Sequence, residues 1–586
     1  MSNALEQASL IMVPSGYEDG TLGSLKPTDG SGDFTFTRCN GAAQCDLAAT
    51  RVNADGYIEK GYENLLTYSN DFSQWTKAAT TATSGQSGYD GSSDAWLIEK
   101  SNSNGVIYKS LSSISVGTIS VYAKASASNW MAIYTGTSLM FFDLANGVLG
   151  GGSGEIDYKI EAVSGATGWY RCSVVDTSIT SFSIYPAEGD GDRSGTSGSI
   201  YIQDAMLNQG LVAYPYVETT TAPVAAGILE DTPRIDFSGG NQSLLLEPSR
   251  TNLFPQSELS SILDSSPNLT KADNAALSPE GVQNAMEFIP STAFTNAHYC
   301  ITTAANNLIA GAKYTFSAYV KPNGFNYVQV GGYYGNETAF FNLSTGTLIS
   351  LASNASSGNI SSVGNGWYRC DVTYTFQNAI GNFVSYAGFK IYEDEAKSYY
   401  SGDGVKSIYA YGLQLEQDAT YPTSYIPTYG VSQTRLDEYN AMNVGVVGTF
   451  STLTSGESGT AFIETKIESL VNNRFNLIST GGSLNWFYQG NNFYAYRTGG
   501  VLQWGSLPSV STFEGTSVKF AFKKAGLDVT LFINGQNYGT SSLQVGQDFS
   551  LYYIYLSTYL TSQSVSKYIE FPTALSDDKC IELTTI

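Results

Sequence analysis

The chain has a single histidine, His298, in 586 residues. Nucleophilic catalysis by a Ser-His-Asp or Cys-His set needs an imidazole to take the proton, so only one residue offers such a base. His298 stands beside Tyr299 and Cys300 with no counterpart elsewhere, and it reads as a surface or packing residue. Zinc sites draw on several His and Cys at short spacings, and no such grouping occurs. Charge is also scarce: 14% of residues carry it, 29 basic against 52 acidic, for a formal net charge of -23. Phosphate backbones need a basic groove, so nucleic acid is not an expected partner. Nowhere do 18 apolar residues run together, and Met1 to Pro14 has no basic n-region beside its short apolar stretch Leu10 to Val13. Neither a membrane span nor a Sec signal is expected.

Six cysteines in so long a chain are not a disulfide scaffold. Cys172 and Cys370 occupy matching contexts and read as buried strand thiols. Cys39 and Cys45 bracket the turn-rich Asn40 to Gln44 and are placed to close a small loop if oxidised, against the reducing pool of a cell interior.

What is abundant points one way. With 60 Gly, 41 Tyr, 28 Phe and few helix-forming runs, local preference favours strands and tight turns. A hydrophobic content of 42% is that of a folded chain, and its length exceeds what one core supports, so three domains are expected. A long-period repeat organises two of them. Gly168-Trp169-Tyr170-Arg171-Cys172 returns unchanged as Gly366-Trp367-Tyr368-Arg369-Cys370. Phe141-Phe142-Asp143-Leu144 with Gly147 returns as Phe340-Phe341-Asn342-Leu343 with Gly346, and Ser199-Ile200-Tyr201 returns as Ser407-Ile408-Tyr409. Because Trp169 and Trp367 share one context, they are assigned to the fold.

Alternating stretches such as Thr118 to Lys124 and Asn326 to Gly332, parted by Gly/Ser/Asn clusters, suit two-layer antiparallel jelly rolls. From about Ser432 the repeat motifs stop but strand-like runs continue, and Asn534-Gly535 marks a tight hairpin. The expected fold is therefore all-β: tandem antiparallel β-sandwiches, two repeated jelly rolls at 61–222 and 251–430 and a third sandwich at 431–586. Residues 223–250 read as a linker and 1–60 as a separate N-terminal region.

Several segments carry a family resemblance. Met12-Val13-Pro14-Ser15-Gly16-Tyr17, Gly32 to Arg38, Ala49 to Asn53, Asp231 to Asp236, Leu244 to Pro248 and Gln414-Leu415-Glu416 resemble bacteriophage tail-fibre or head-fibre virion proteins with carbohydrate-binding-module-like domains. Val529 to Gly535 looks like the hairpin of concanavalin A-like or laminin-G-like lectins, which implies that 431–586 is a concanavalin A-like lectin domain. The resemblance implies a virion surface protein attached through residues 1–60 to other virion proteins. It implies adhesion to host cell-surface polysaccharide, a homotrimer, and a location on the particle after assembly in the host cytoplasm. Tail and head placement stay open, as does a non-adhesive decorating role. The insertion carrying Cys39 and Cys45 departs from the family pattern.

An enzyme of the glycan-degrading tailspike kind would need two carboxylates about 5 to 10 Å apart across a groove. No acidic motif of that kind stands out, so the chain is read as non-enzymatic and without a cofactor. Asp190, Asp192 and Ser194 copy the first half of a calcium loop, but Tyr201 stands where its bidentate acid belongs. Glu393-Asp394-Glu395 in the second repeat is equally indecisive. Sugar recognition needs an aromatic ring against the sugar's C–H face, with polar groups for its hydroxyls. Candidates are Trp130 and Tyr134 in the first repeat, Tyr327, Tyr333 and Tyr334 in the second, and Trp486, Tyr488, Tyr494 and Trp504 in the third domain. Strand alternation sends some of these into cores instead.

Overall fold

The chain folds as antiparallel strands closed by a C-terminal α-helix, Asp577–Thr584, in this computed structural model. The structure describes all residues except 1–4, 15, 19, 39–46, 155, 230–231, 261–262, 266–267, 297, 303–307, 333–335, 378–386, 396–398, 444–456, 471–473, 480–483, 498–499, 545–552, 556–562 and 586. Among the described residues no helix is long and apolar enough to cross a membrane.

The two repeats are sandwiches with one strand order. In the first, one sheet runs Asp157–Ala162, Trp169–Asp176, Gly117–Ala125, Gly198–Gln209, Ala95–Lys100, Thr80–Gln86. The facing sheet runs Val148–Ser153, Leu139–Asp143, Trp130–Tyr134, Ile179–Ala187, Val106–Ile114, Thr76–Ala78. The second repeat matches it strand for strand, from Ala355–Gly364 to Leu269–Leu277 and from Thr347–Leu351 to Asp264–Ser265. Alternation fills each core: Met131, Ile133, Phe142, Cys172 and Ile184 in the first, and Val328, Val330, Phe341, Cys370 and Phe389 in the second.

The repeated motifs explain themselves in this frame. Trp169 and Trp367 are buried, with Trp367 Nε1 donating to the Leu277 carbonyl at 3.1 Å. Arg369 lies 5.3 Å from the Tyr319 ring and donates to Ser317 Oγ and the Thr423 carbonyl. Arg171 does the same over Tyr122, reaching Ser120 Oγ and the carbonyls of Ala213 and Tyr214. Each arginine thus ties its sheet to the closing tail of its own repeat. Gly147 and Gly346 have positive φ, and a Cβ at either would strike Tyr170 or Tyr368, so glycine recurs there.

The third sandwich is discontinuous in sequence, which corrects two expectations. Residues 10–37, read as part of a separate attachment region, supply strands to it. Leu10–Met12 pairs with Gln563–Phe571, and Phe34–Thr37 pairs with Tyr439–Asn443. The stretch read as a linker supplies Ile235–Asp236 and Ser243–Leu246, the latter pairing with Gln563–Phe571. Leu10, Met12, Phe34, Ile235 and Leu244 share one core with Trp486 and Phe520. The chain therefore leaves the third sandwich for the first repeat, returns, leaves for the second, and returns again. Antiparallel sheets make such remote neighbours ordinary, and local alternation carries no record of them.

Buried charges lock these crossings. Glu438, on the final return, accepts from Arg38 at 2.9 Å and from Arg234 Nε at 2.6 Å. Arg234 also pairs with Glu247 at 2.8 Å, and Arg435 with Glu247 at 3.0 Å. Burial alone would raise the Glu247 carboxyl, but Arg435 and Arg234 overcome it and hold the group at about 2. A second buried centre joins the repeats: Lys60 contacts Glu258 at 2.7 Å and Glu280 at 2.5 Å, among Tyr214, Tyr411, Tyr425 and Tyr429. Burial works against the ammonium, yet the two carboxylates keep Lys60 protonated well above its ordinary range.

Candidate functional site

Once Met131 and Ile133 enter the core, alternation turns Trp130, Ala132 and Tyr134 to the outside of the sheet. Leu139 and Phe141 on one neighbouring strand and Tyr185 and Ala187 on the other join them. Trp130, Leu139 and Tyr185, all half-buried, pack against Ala132, Phe141 and Ala187 as a small apolar cluster outside the main core. Tyr108 and Tyr134 flank Ser183 in register. Burial raises the Tyr185 hydroxyl above its ordinary range, and Arg193, 4.4 Å from that ring centroid, works against the rise. The result is an aromatic ledge on the solvent side with a guanidinium over it.

The second repeat builds a matching face from different residues. Tyr327 takes the sheet position of Trp130, pairing with Asn342 and Tyr392 as Trp130 pairs with Asp143 and Ala187. Phe340 lies 6.1 Å from Tyr327 and 4.8 Å from Tyr392 by ring centroids. Tyr392 donates to Gln329 Oε1 at 3.0 Å, and Gln329 Nε2 donates to Thr338 Oγ1 at 2.9 Å. Beside these rings a shallow trough is lined by Gly331, Gly332, Gly388, Gln329, Thr338 and Lys390. Lys390 Nζ lies 5.0 Å from the Tyr392 centroid, and half-burial lowers its pKa. Such a face can take the C–H surface of a sugar on its rings and hydroxyls on its amide and backbone edge.

The structure thus places Trp130, Tyr134 and Tyr327 on outward faces, while Tyr333 and Tyr334 lie outside the described residues. In the third domain Trp486, Tyr488 and Trp504 are buried in the core, so none of them presents a face to a ligand. Tyr494 is half-buried and stacks on Phe487 at 5.0 Å, with Arg474 3.8 Å from the Phe487 centroid. Tyr185, Phe340, Tyr392, Arg193 and Lys390 were not singled out in the sequence. Alternation in Ser183-Ile184-Tyr185 and Phe389-Lys390-Ile391-Tyr392 was the available signal for three of them.

Asp190, Asp192 and Ser194 occupy an exposed loop. Asp190 Oδ1 accepts from Gly151 N at 2.6 Å, while Asp192 Oδ1 caps Ser194 through its N–H and hydroxyl. Among the described residues no group of three or more His, Cys, Asp or Glu is arranged to hold a metal. Cys39 and Cys45 lie outside the described residues; Cys172, Cys300, Cys370 and Cys580 are buried. His298 is fully buried, its ring nitrogens 3.1 Å and 3.3 Å from the carbonyls of Asn268 and Tyr400. Of the two readings for it, surface or packing, the structure selects packing. A polar cleft of about 330 Å³ opens on the third sandwich, where Glu464 and Glu468 pair with Lys567 and Lys466.

No family model matches the chain, and no curated protein matches it. Solved structures align with about a quarter of it. The binding domain of Paraclostridial Mosquitocidal Protein 1 aligns at 11% identity and TM-score 0.21, covering 25% of this chain and 43% of that one. A Ruminococcus gnavus IT-sialidase CBM40 bound to alpha2,3 sialyllactose aligns at 18% and 0.21, covering 24% and 88%. The binding domain of Botulinum neurotoxin DC, in complex with rat synaptotagmin II, aligns at 14% and 0.22, covering 25% and 39%. The chain therefore spans less than half of either toxin domain's length. TM-scores near 0.2 decide nothing about its ligand.

Proposed function

We propose that this chain is a bacteriophage virion surface protein, a tail or head fibre, that adheres to host-surface glycans through the outward aromatic faces of its two repeats. One observation carries the adhesive part: equivalent strands in both repeats hold solvent-side rings, Trp130 and Tyr185 in one and Tyr327, Phe340 and Tyr392 in the other. Rings kept half-exposed on equivalent strands, with Trp130 and Tyr327 at one register position, are more than a shared core requires. The virion assignment is supported by the resemblance of the segments around Arg38, Arg234 and Glu247, residues that tie the crossings together. Attachment to other virion proteins, a homotrimer and exposure on the particle belong to the same reading. Two faces per chain and several chains per particle make weak sugar contacts avid.

The test is binding of the purified chain to host cells and competition with phage adsorption. Trp130→Ala and Tyr392→Ala are each expected to weaken binding roughly tenfold with the fold intact, the worth of one aromatic contact. Saturable binding that slows adsorption supports adhesion; an absence of binding by the oligomer leaves a decorating protein. Adhesion here is non-enzymatic, and release of reducing sugar from host polysaccharide would overturn that part of the proposal.

A further inference from the structure

The two aromatic faces share a feature that neither adhesion nor folding requires. In a chain with 52 acidic residues a cation finds an anion easily, yet Arg193 and Lys390 make no ion pair among the described residues. Each instead lies over a tyrosine of its own face, at 4.4 Å and 5.0 Å from the ring centroids. The carboxylates nearest Arg193 in sequence are engaged elsewhere. Glu188 pairs with Lys100 and accepts from Gly195 N, Asp190 accepts from Gly151 N, and Asp192 caps Ser194. At Lys390 the adjoining amide of Gln329 is occupied by Tyr392 and Thr338. The positions are not inherited from one repeat to the other: by sheet register Lys390 stands where the first repeat has Tyr185, and Arg193 comes from a loop. Two different routes thus put one positive charge beside the rings of each face.

A half-buried cation without an anion is destabilised, and burial is the single cause lowering Lys390. An incoming carboxylate would relieve that penalty, and a guanidinium over a ring still directs its in-plane N–H groups outward. Resting on the adhesive reading above, we infer that both faces select carboxylate-bearing glycans, with Arg193 and Lys390 as the specificity-determining charges. The rings take the sugar's C–H face, and each cation takes the carboxylate at its edge. The overall charge of -23 repels a polyanion at long range, but at about 0.15 M salt the Debye length is near 8 Å, so the local cation governs.

The experiment uses the full chain against three immobilised polymers of matched length: polygalacturonate, polysialate and dextran. Binding to one or both acidic polymers, at least tenfold tighter than to dextran, is expected, and the two acidic arms separate uronate from sialate as the source. Arg193→Gln and Lys390→Gln are each expected to lower the acidic affinity at least fivefold, several times more than either changes dextran binding. Lys390→Gln should also hold or raise the melting temperature, a split that a purely structural lysine would not produce. Equal affinity for dextran and the acidic polymers, or acidic binding that survives the double variant, overturns the inference while adhesion stands. Binding to none of the three overturns it as well, and the host-cell adsorption assay then decides separately whether adhesion survives.

Discussion

At the scale of single residues, burial decides what each side chain can do. Trp130 and Trp169 are both tryptophans of strand ends in one repeat, but Trp169 is 4% exposed and packs edge-on to Tyr89 while Trp130 is half-buried on an outer face. Asp204 shows how far burial moves a titration. Enclosure, with Asp94 and Asp90 nearby, pushes its carboxyl up to about 7 despite the hydrogen bond from Tyr89. Its folded value lies above the unfolded 3.8, so its contribution is whole below about pH 4 and is lost as pH rises through 7. Unfolding free energies from urea titrations should therefore fall between those values, by on the order of 2 to 4 kcal/mol, and Asp204→Asn should flatten that segment. An unchanged slope in the variant would assign the loss to another group. Glu247 works oppositely: held at about 2, it contributes above 4.5 and is lost only in strong acid.

At the scale of elements, the outer face depends on which strand residues are small. Gly331 has φ +122°, and a Cβ there would stand 2.2 Å from the Glu337 carbonyl oxygen. Gly331→Ala is expected to destabilise the second repeat by about 1 to 3 kcal/mol and to distort the trough beside Lys390. Thermal unfolding with glycan binding checks it; a variant as stable as the parent would mean the strand can shift at no cost. Period-two alternation was legible in Trp130 to Tyr134, where Met131 and Ile133 alternate with Trp130, Ala132 and Tyr134. In Asn485-Trp486-Phe487-Tyr488 three aromatics run together, so alternation alone could not say which face is the core. Packing placed Trp486 and Tyr488 inside and left Phe487 stacked on Tyr494.

At the scale of the molecule, the third sandwich closes both excursions of the chain. Because Leu10 pairs with Glu570 and Phe34 shares a core with Trp486, Leu10–Met12, Phe34–Thr37 and Gln563–Phe571 belong to one domain. Removing residues 1–37 should therefore abolish cooperative unfolding of residues 439–585 and expose that core to protease. A truncated chain that keeps its melting transition would show that the sandwich closes without those strands. The same closure makes the N-terminal strands part of the third sandwich rather than a separate region.

The sequence by itself determined the all-β class, the repeat, the buried roles of Trp169 and Trp367, and the absence of a histidine-rich catalytic set. Those follow from composition and from motifs a few residues long, which local physics reads directly. Only the tertiary structure decided that residues 10–37 and 235–246 complete the last domain, and that Arg38, Arg234, Glu247, Arg435 and Glu438 meet at its crossings. It alone set Arg193 and Lys390 beside their rings. Strand pairing across hundreds of residues is fixed by the mutual fit of whole sheets, and no local pattern carries that information.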